Sequence, residues 1–181
     1  MTVTEVLFSL PLWIAVYAVT AAFIDLSHRR IPNSLTYGGI LFGLGIGLLP
    51  QFEPSLTGSL LGLAIAFGPS LLLFALGSIG GGDVKLLTAL GALLGYPLIL
   101  DVLFYTIVFG SAWGITVIIW RGRVLETLKG FWDLLVSLFY PGSYKIVPVQ
   151  DLSIPFGVPI AIATLWAVFD LGHNLMKLIS G

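Results

Sequence analysis

The chain contains no cysteine, which excludes disulfides, a thiol nucleophile and every cysteine-ligated zinc or iron–sulfur site. Histidine is almost as scarce. His28 and His173 stand far apart in sequence, so no histidine-based metal site is expected, and neither a metal nor a cofactor is inferred. Charged residues make up only 9% of the 181 positions, against about 25% in a soluble domain whose surface must face water. The formal net charge of -1 lacks the basic excess that a nucleic-acid partner requires. A basic n-region is missing as well. The only charge before Asp25 is Glu5, so the apolar N-terminus reads as a retained transmembrane helix and not as a secretory signal.

Apolar residues fill the space left by these absences, at 57% of the chain. A surface so poor in charge must face lipid, and composition alone gives an all-α integral membrane protein. A helix needs about 20 apolar residues to cross the roughly 30 Å hydrocarbon core. Six spans are predicted: Val6 to Ile24, Ser34 to Leu49, Ser55 to Leu76, Val84 to Leu94, Pro97 to Trp120 and Ile154 to Leu178. The fourth is too short to span unaided at about 1.5 Å per residue. It either tilts into the fifth or is a half-span covered by protein.

Six spans from an outside N-terminus place Arg29, Arg30, Lys85, Arg121, Arg123, Lys129 and Lys145 in the cytoplasm. These are seven of the eight basic residues, and the bias fixes the orientation. Between the fifth and sixth spans, Glu126, Lys129, Asp133 and Ser137 recur at helical spacing opposite Leu125, Leu128, Trp132, Leu135 and Phe139. That pattern predicts a cytoplasmic helix lying in the membrane interface, within a segment of about 121–151. The reading is a single membrane-embedded domain over 1–181. It comprises a bundle of about six transmembrane helices with this interfacial helix, in the cytoplasmic membrane. The stripes Gly39, Gly43, Gly47 and Gly58, Gly62, Ala66 read as close helix packing without chemistry.

Charge at the edge of a membrane is costly and needs a reason. Asp25, in FIDLSHRRIPN, ends the first span, and Asp83, in GSIGGGDVKLL, opens the fourth. In this topology both lie at the cytoplasmic side. Two carboxylates at one membrane depth suit an aspartyl protease, in which one takes a proton from water while the other polarises the peptide carbonyl. Each also has a structural explanation. Asp25 precedes Arg29 by one helical turn and could pair with it, and Asp83 could cap the next helix. By helix dipole alone Asp83 is the ionised partner and Asp25 the protonated one, with Arg29 and Arg30 acting the other way. Proline at 32 ends the turn after the first span, and Asn33 or Ser34 is predicted to cap the second. Three successive glycines, Gly80, Gly81 and Gly82, open conformations closed to other residues and leave room beside Asp83. Lys85 reads as an interface anchor.

The residues around the two aspartates resemble the type IV prepilin peptidases and preflagellin (prearchaellin) peptidases. Gly80-Gly81-Gly82-Asp83-Val84-Lys85-Leu86 is similar to the glycine-x-glycine-aspartate motif of membrane-embedded aspartyl proteases, with the lysine–leucine continuation of this family. Asp25 followed by Arg30-Ile31-Pro32-Asn33 resembles its first aspartate and turn. Pro155-Phe156-Gly157 resembles the motif opening its last helix.

The resemblance implies Asp25 and Asp83 as catalytic residues. Gly80, Gly81, Gly82, Lys85, Pro32, Asn33, Pro155, Phe156 and Gly157 would be supporting or substrate-binding residues. It implies removal of short basic leader peptides from prepilins, preflagellins (archaellins) or pseudopilins, whose N-terminal helix is hydrophobic, at the cytoplasmic membrane boundary. Larger members add a cysteine-bearing domain and methylate the new N-terminus. Here the expectation is the short, peptidase-only form without methyltransferase activity. Two other readings stay open: a presenilin-like or signal-peptide-peptidase-like intramembrane protease, and a small ion-coupled transporter.

Overall fold

The computed structural model describes residues 3–50, 52–139 and 156–169. Among them are seven helices and no strand: α1 (Val3–His28), α2 (Asn33–Gly47), α3 (Leu56–Ala75), α4 (Gly81–Leu94), α5 (Leu98–Trp120), α6 (Val124–Phe139) and α7 (Gly157–Val168). Stretches of α1, α3 and α5 (Leu10–His28, Leu56–Ala75 and Leu98–Trp120) are long and apolar enough to cross a membrane. The chain is a multi-pass, all-α membrane protein. The second and fourth predicted spans appear as shorter helices, α2 with 15 residues and α4 with 14. Of the sixth, residues 156–169 are described; the rest of it lies outside the described residues, as do Pro155, Asp151, Lys145 and His173.

The chain divides into two compact units, one of residues 1–110 with 155–181 and one of residues 111–154. The centre of the first unit is α4. Every residue from Leu86 to Leu94 is buried, so its polar backbone is shielded by protein although the helix is only about 21 Å long. Of the two possibilities for the short fourth span, coverage by other helices is the one found.

The glycine stripes make that coverage possible. Gly62 of α3 and Gly91 of α4 meet backbone to backbone, with Ala66 beside them, and a Cβ on either would collide with the other's carbonyl. On α2, a Cβ at Gly43 would stand 2.6 Å from the backbone of Ala92. Small residues thus replace hydrophobic drive with close backbone contact, as the sequence pattern indicates. Helix α1 packs on α7, where Ala18, Ala21 and Ala22 are buried.

Helix α1 ends where Arg29 turns left-handed at φ 51° and its N–H closes on the Asp25 carbonyl at 2.7 Å. Pro32, extended at φ -62° and ψ 138°, precedes α2 and no side chain caps that helix. The predicted cap by Asn33 or Ser34 is therefore not formed: α2 already begins at Asn33, so both lie within its first turn, and the Asn33 side chain meets Lys85.

In the second unit, α6 keeps its amphipathic pattern. Leu125, Leu128 and Trp132 are exposed, and Arg123 pairs with Glu126 at 3.3 Å.

Candidate active site

Asp25 sits in the last turn of α1 and is 7% exposed. A carboxyl so enclosed needs a partner. It finds one in the first residue of α7: the Gly157 N–H donates to Asp25 Oδ2 at 2.9 Å. No ion pair joins Asp25 to Arg29 among the described residues, so the helix-end pair that the spacing permits is not what holds it. The approach needs glycine. A Cβ at position 157 would stand 2.9 Å from Asp25 Cβ and 3.0 Å from its Oδ2.

Asp83 is the third residue of α4 and is 8% exposed. Its Oδ2 accepts the Gly80 N–H at 3.0 Å, which satisfies a donor at the helix start. Gly80 is extended, at φ -80° and ψ 156°, while Gly81 and Gly82 already belong to the first turn of α4. None of the three has positive φ, so the conformational freedom of glycine is not what this run uses. It uses the lack of side chains. A Cβ at Gly82 would lie 3.4 Å from that of Ile31, and one at Gly80 3.2 Å from Asp83 Oδ2.

Ile31 is buried against that turn, so the loop after Asp25 packs directly on the glycines before Asp83. Helix α1 also touches α4, and through the Ile31–Gly82 contact the helix ends that carry Asp25 and Asp83 lie beside one another. The structure thus brings to adjoining helix ends the two aspartates that the sequence separates. Each has one oxygen held by a backbone N–H at a helix N-terminus: Gly80 of its own helix for Asp83, Gly157 of α7 for Asp25. The dipole contrast inferred from sequence is therefore weakened, because α7 turns its positive end toward Asp25.

Lys85 lies one turn past the glycines and donates to Asn33 Oδ1 at 2.8 Å, with its ammonium 5.6 Å from the centre of the Tyr37 ring. Rather than only anchoring at the interface, it ties the start of α2, just after Pro32, to the helix of Asp83. On the other side, Phe156 packs against Gly110 of α5, where a Cβ would stand 2.9 Å from the ring. Pro155 lies outside the described residues.

Ile31, Tyr37 and Gly110 support the site without having been singled out as site residues. Ile31 at least falls within the Arg30–Asn33 run. Gly110 carries no local signal, since its role depends on an aromatic ring more than forty positions away. Among the described residues no group of three or more His, Asp or Glu is placed to hold a metal ion.

The profile of the type IV leader peptidase family matches residues 12–115, which include both aspartates. The chain is 31% identical over 112 residues to a prepilin leader peptidase/N-methyltransferase of Myxococcus xanthus (strain DK1622), covering 58% of this chain and 33% of that protein. A protein of the same description from Aeromonas salmonicida (strain A449) is 34% identical over 112 residues, or 58% of this chain and 38% of its own. One from Xanthomonas campestris pv. campestris is 29% identical over 167 residues, covering 88% of this chain and 49% of its own. The chain thus spans between a third and a half of the relatives it matches. No solved structure matches it.

Proposed function

The chain belongs to the type IV leader peptidase family, and we propose that it is a membrane aspartyl endopeptidase removing basic leader peptides from prepilin-like proteins. The observation that carries this reading is the enclosure of Asp25 and Asp83 at adjoining helix ends. Both are buried, and each is fixed by one backbone amide.

In the proposed reaction, a water molecule sits between the carboxyls. The ionised carboxylate takes a proton from it as its oxygen attacks the scissile carbonyl carbon. The protonated one gives its proton to the carbonyl oxygen. Collapse of the tetrahedral intermediate breaks the C–N bond. The leaving amine takes up the proton held by the first carboxylate, and the second recovers its own from the hydroxyl. The Gly80 and Gly157 amides keep the two acids in place throughout. Three glycines before Asp83 leave room for an extended peptide.

The surrounding topology is proposed as six spans, with the N-terminus outside and the dyad at the cytoplasmic face. The distribution of basic residues supports this orientation. The exposed apolar residues of α6 support its place in the membrane interface. Substrates are proteins with a basic leader, a small residue at the cleavage point and a hydrophobic helix after it. Prepilins, preflagellins (archaellins) and pseudopilins fit this description. The proposal covers peptide cleavage alone and assigns no methyl transfer to this chain.

The test is cleavage of such a substrate by the purified protein in lipid vesicles. The product should begin immediately after the small residue, without a methyl group on its new amine. An intact substrate after prolonged incubation would overturn the reading.

A further inference from the structure

Helices α1 and α2 are joined by only four residues, yet each makes its main contacts elsewhere and Tyr17 bridges the two. Helix α1 packs on α7, and α2 packs on α4 and α3. Between them is an open cleft of about 550 Å³, walled by Trp13 and Tyr17 of α1 and by Leu35, Gly38 and Phe42 of α2, with Leu93 of α4 at its floor. The Tyr17 hydroxyl donates to the Leu35 carbonyl at 3.2 Å and props the two walls together. The lining is almost wholly apolar.

Two features make this cleft suited to a helix. First, Ser34 and Gly38, one turn apart, both line it. A Cβ at Gly38 would meet nothing within 4 Å. The other packing glycines of α2 are filled by neighbours: Gly39 meets Tyr17, Gly43 meets Ala92 and Gly47 meets Leu56. A small-residue stripe left open beside a cavity offers the close backbone approach by which membrane helices associate.

Second, the cleft stands at a defined depth from the aspartates. By helical rise, Tyr17 and Trp13 lie roughly 12 and 18 Å from Asp25 along α1, and Leu93 lies roughly 15 Å from Asp83 along α4. Its Ser34 end adjoins Asn33, which Lys85 ties to the helix of Asp83. A chain cleaved at the aspartates and continuing as a membrane helix reaches the cleft about 8–12 residues after the cut bond.

The geometry points to the α1–α2 cleft as the docking site for the substrate's hydrophobic helix, seated by its residues about 8–12 beyond the scissile bond; this rests on the proposed peptidase reading. A small residue in that stretch would face Gly38, with larger apolar side chains against Trp13, Phe42 and Leu93. The cleft would then set which helices are accepted, while the aspartates act on whatever peptide bond is presented to them.

The experiment uses the full chain in phosphatidylethanolamine–phosphatidylglycerol vesicles. The substrate probe has a basic leader, a glycine and a hydrophobic helix of about 20 residues. Gly38→Leu places a side chain in the cleft at a position where an added Cβ meets nothing within 4 Å, and it should raise KM about tenfold while leaving kcat within about twofold. Gly45→Leu is the control. It also lies in α2 with nothing within 4 Å, but it does not line the cleft, and it should cleave as the unsubstituted protein does. A photo-crosslinking residue in place of Phe42 should capture the substrate helix about 8–12 residues past the cut bond. Normal cleavage with unchanged KM in Gly38→Leu, or crosslinks from position 42 to lipid only, overturns the docking site and leaves the peptidase reading intact. Failure of the unsubstituted protein to cleave overturns the peptidase reading and the docking site with it.

Discussion

Gly157 donates its backbone N–H to Asp25 Oδ2 at 2.9 Å, across an interval of 132 residues. The contact joins the last turn of α1 to the first residue of α7, so the position of one aspartate depends on the seating of another helix. It also places the positive end of α7 at a carboxyl that its own helix would leave beside a negative end.

A Cβ at position 157 cannot be added without displacement, given the 2.9 Å approach to Asp25 Cβ and 3.3 Å to Ala22 Cα. Gly157→Ala should therefore push α7 off Asp25 and lower kcat by about 100-fold, the cost of a misplacement near 1 Å. KM should change little, because the substitution is aimed at the position of Asp25 and not at substrate binding. A merely structural glycine would alter thermal stability and leave kcat where it was.

The packing of α4 gives a prediction about stability. A Cβ at Gly91 would collide with the Gly62 carbonyl and stand 2.8 Å from Ala66 Cβ. Gly91→Ala should destabilise the protein by about 1–3 kcal/mol through overpacking. Gly68→Ala, on a part of α3 with nothing within 4 Å, should stay within about 1 kcal/mol of the unsubstituted chain. Thermal unfolding of the detergent-solubilised protein measures both.

Much of this arrangement was legible in the sequence, and the parts that were not share a physical cause. Asp25 and Asp83 stood out because membrane charge is costly and because each carried a recognisable flanking run. The glycine stripes predicted close packing, and Gly43 on Ala92 and Gly62 on Gly91 show it. The cap expected from Asn33 is not formed because α2 starts one residue earlier than a cap there requires, with Pro32 at the N-cap, and the Asn33 side chain meets Lys85, 52 residues away. The glycine run before Asp83 suggested unusual backbone angles, but Gly81 and Gly82 are helical and serve by being small. The Gly157 amide and the α1–α2 cleft depend on which helices pack together, and local sequence does not encode that choice.

Lys85 and Asn33 form an exposed, charge-assisted hydrogen bond, so its loss should cost stability only about 1 kcal/mol. Its effect on activity should be larger in proportion, because the bond fixes the loop that runs from Asp25 to α2. Lys85→Met and Asn33→Ala should each lower kcat severalfold, and the double variant should be little worse than either. Fully additive losses would mean that the two residues act separately.

The absence of native cysteine makes single-cysteine labelling clean. Seven basic residues on one side in the proposed topology predict that Ser27→Cys is labelled from the cytoplasm and Ser55→Cys only from outside. Labelling of position 27 from outside would place the aspartates on the wrong face for a leader retained in the cytoplasm.

The central claim is that Asp25 and Asp83 act as one catalytic pair, and conservative replacement of each tests it most directly. Asparagine keeps the size of the side chain and still accepts the Gly157 or Gly80 N–H, but it cannot exchange the proton the reaction needs. Asp25→Asn and Asp83→Asn should both insert and unfold thermally much as the unsubstituted protein does. Each should lose cleavage of a prepilin-like substrate by about 10³-fold or more, and the double variant should be no worse than either alone. Cleavage by either single variant at near the unsubstituted rate would contradict the account.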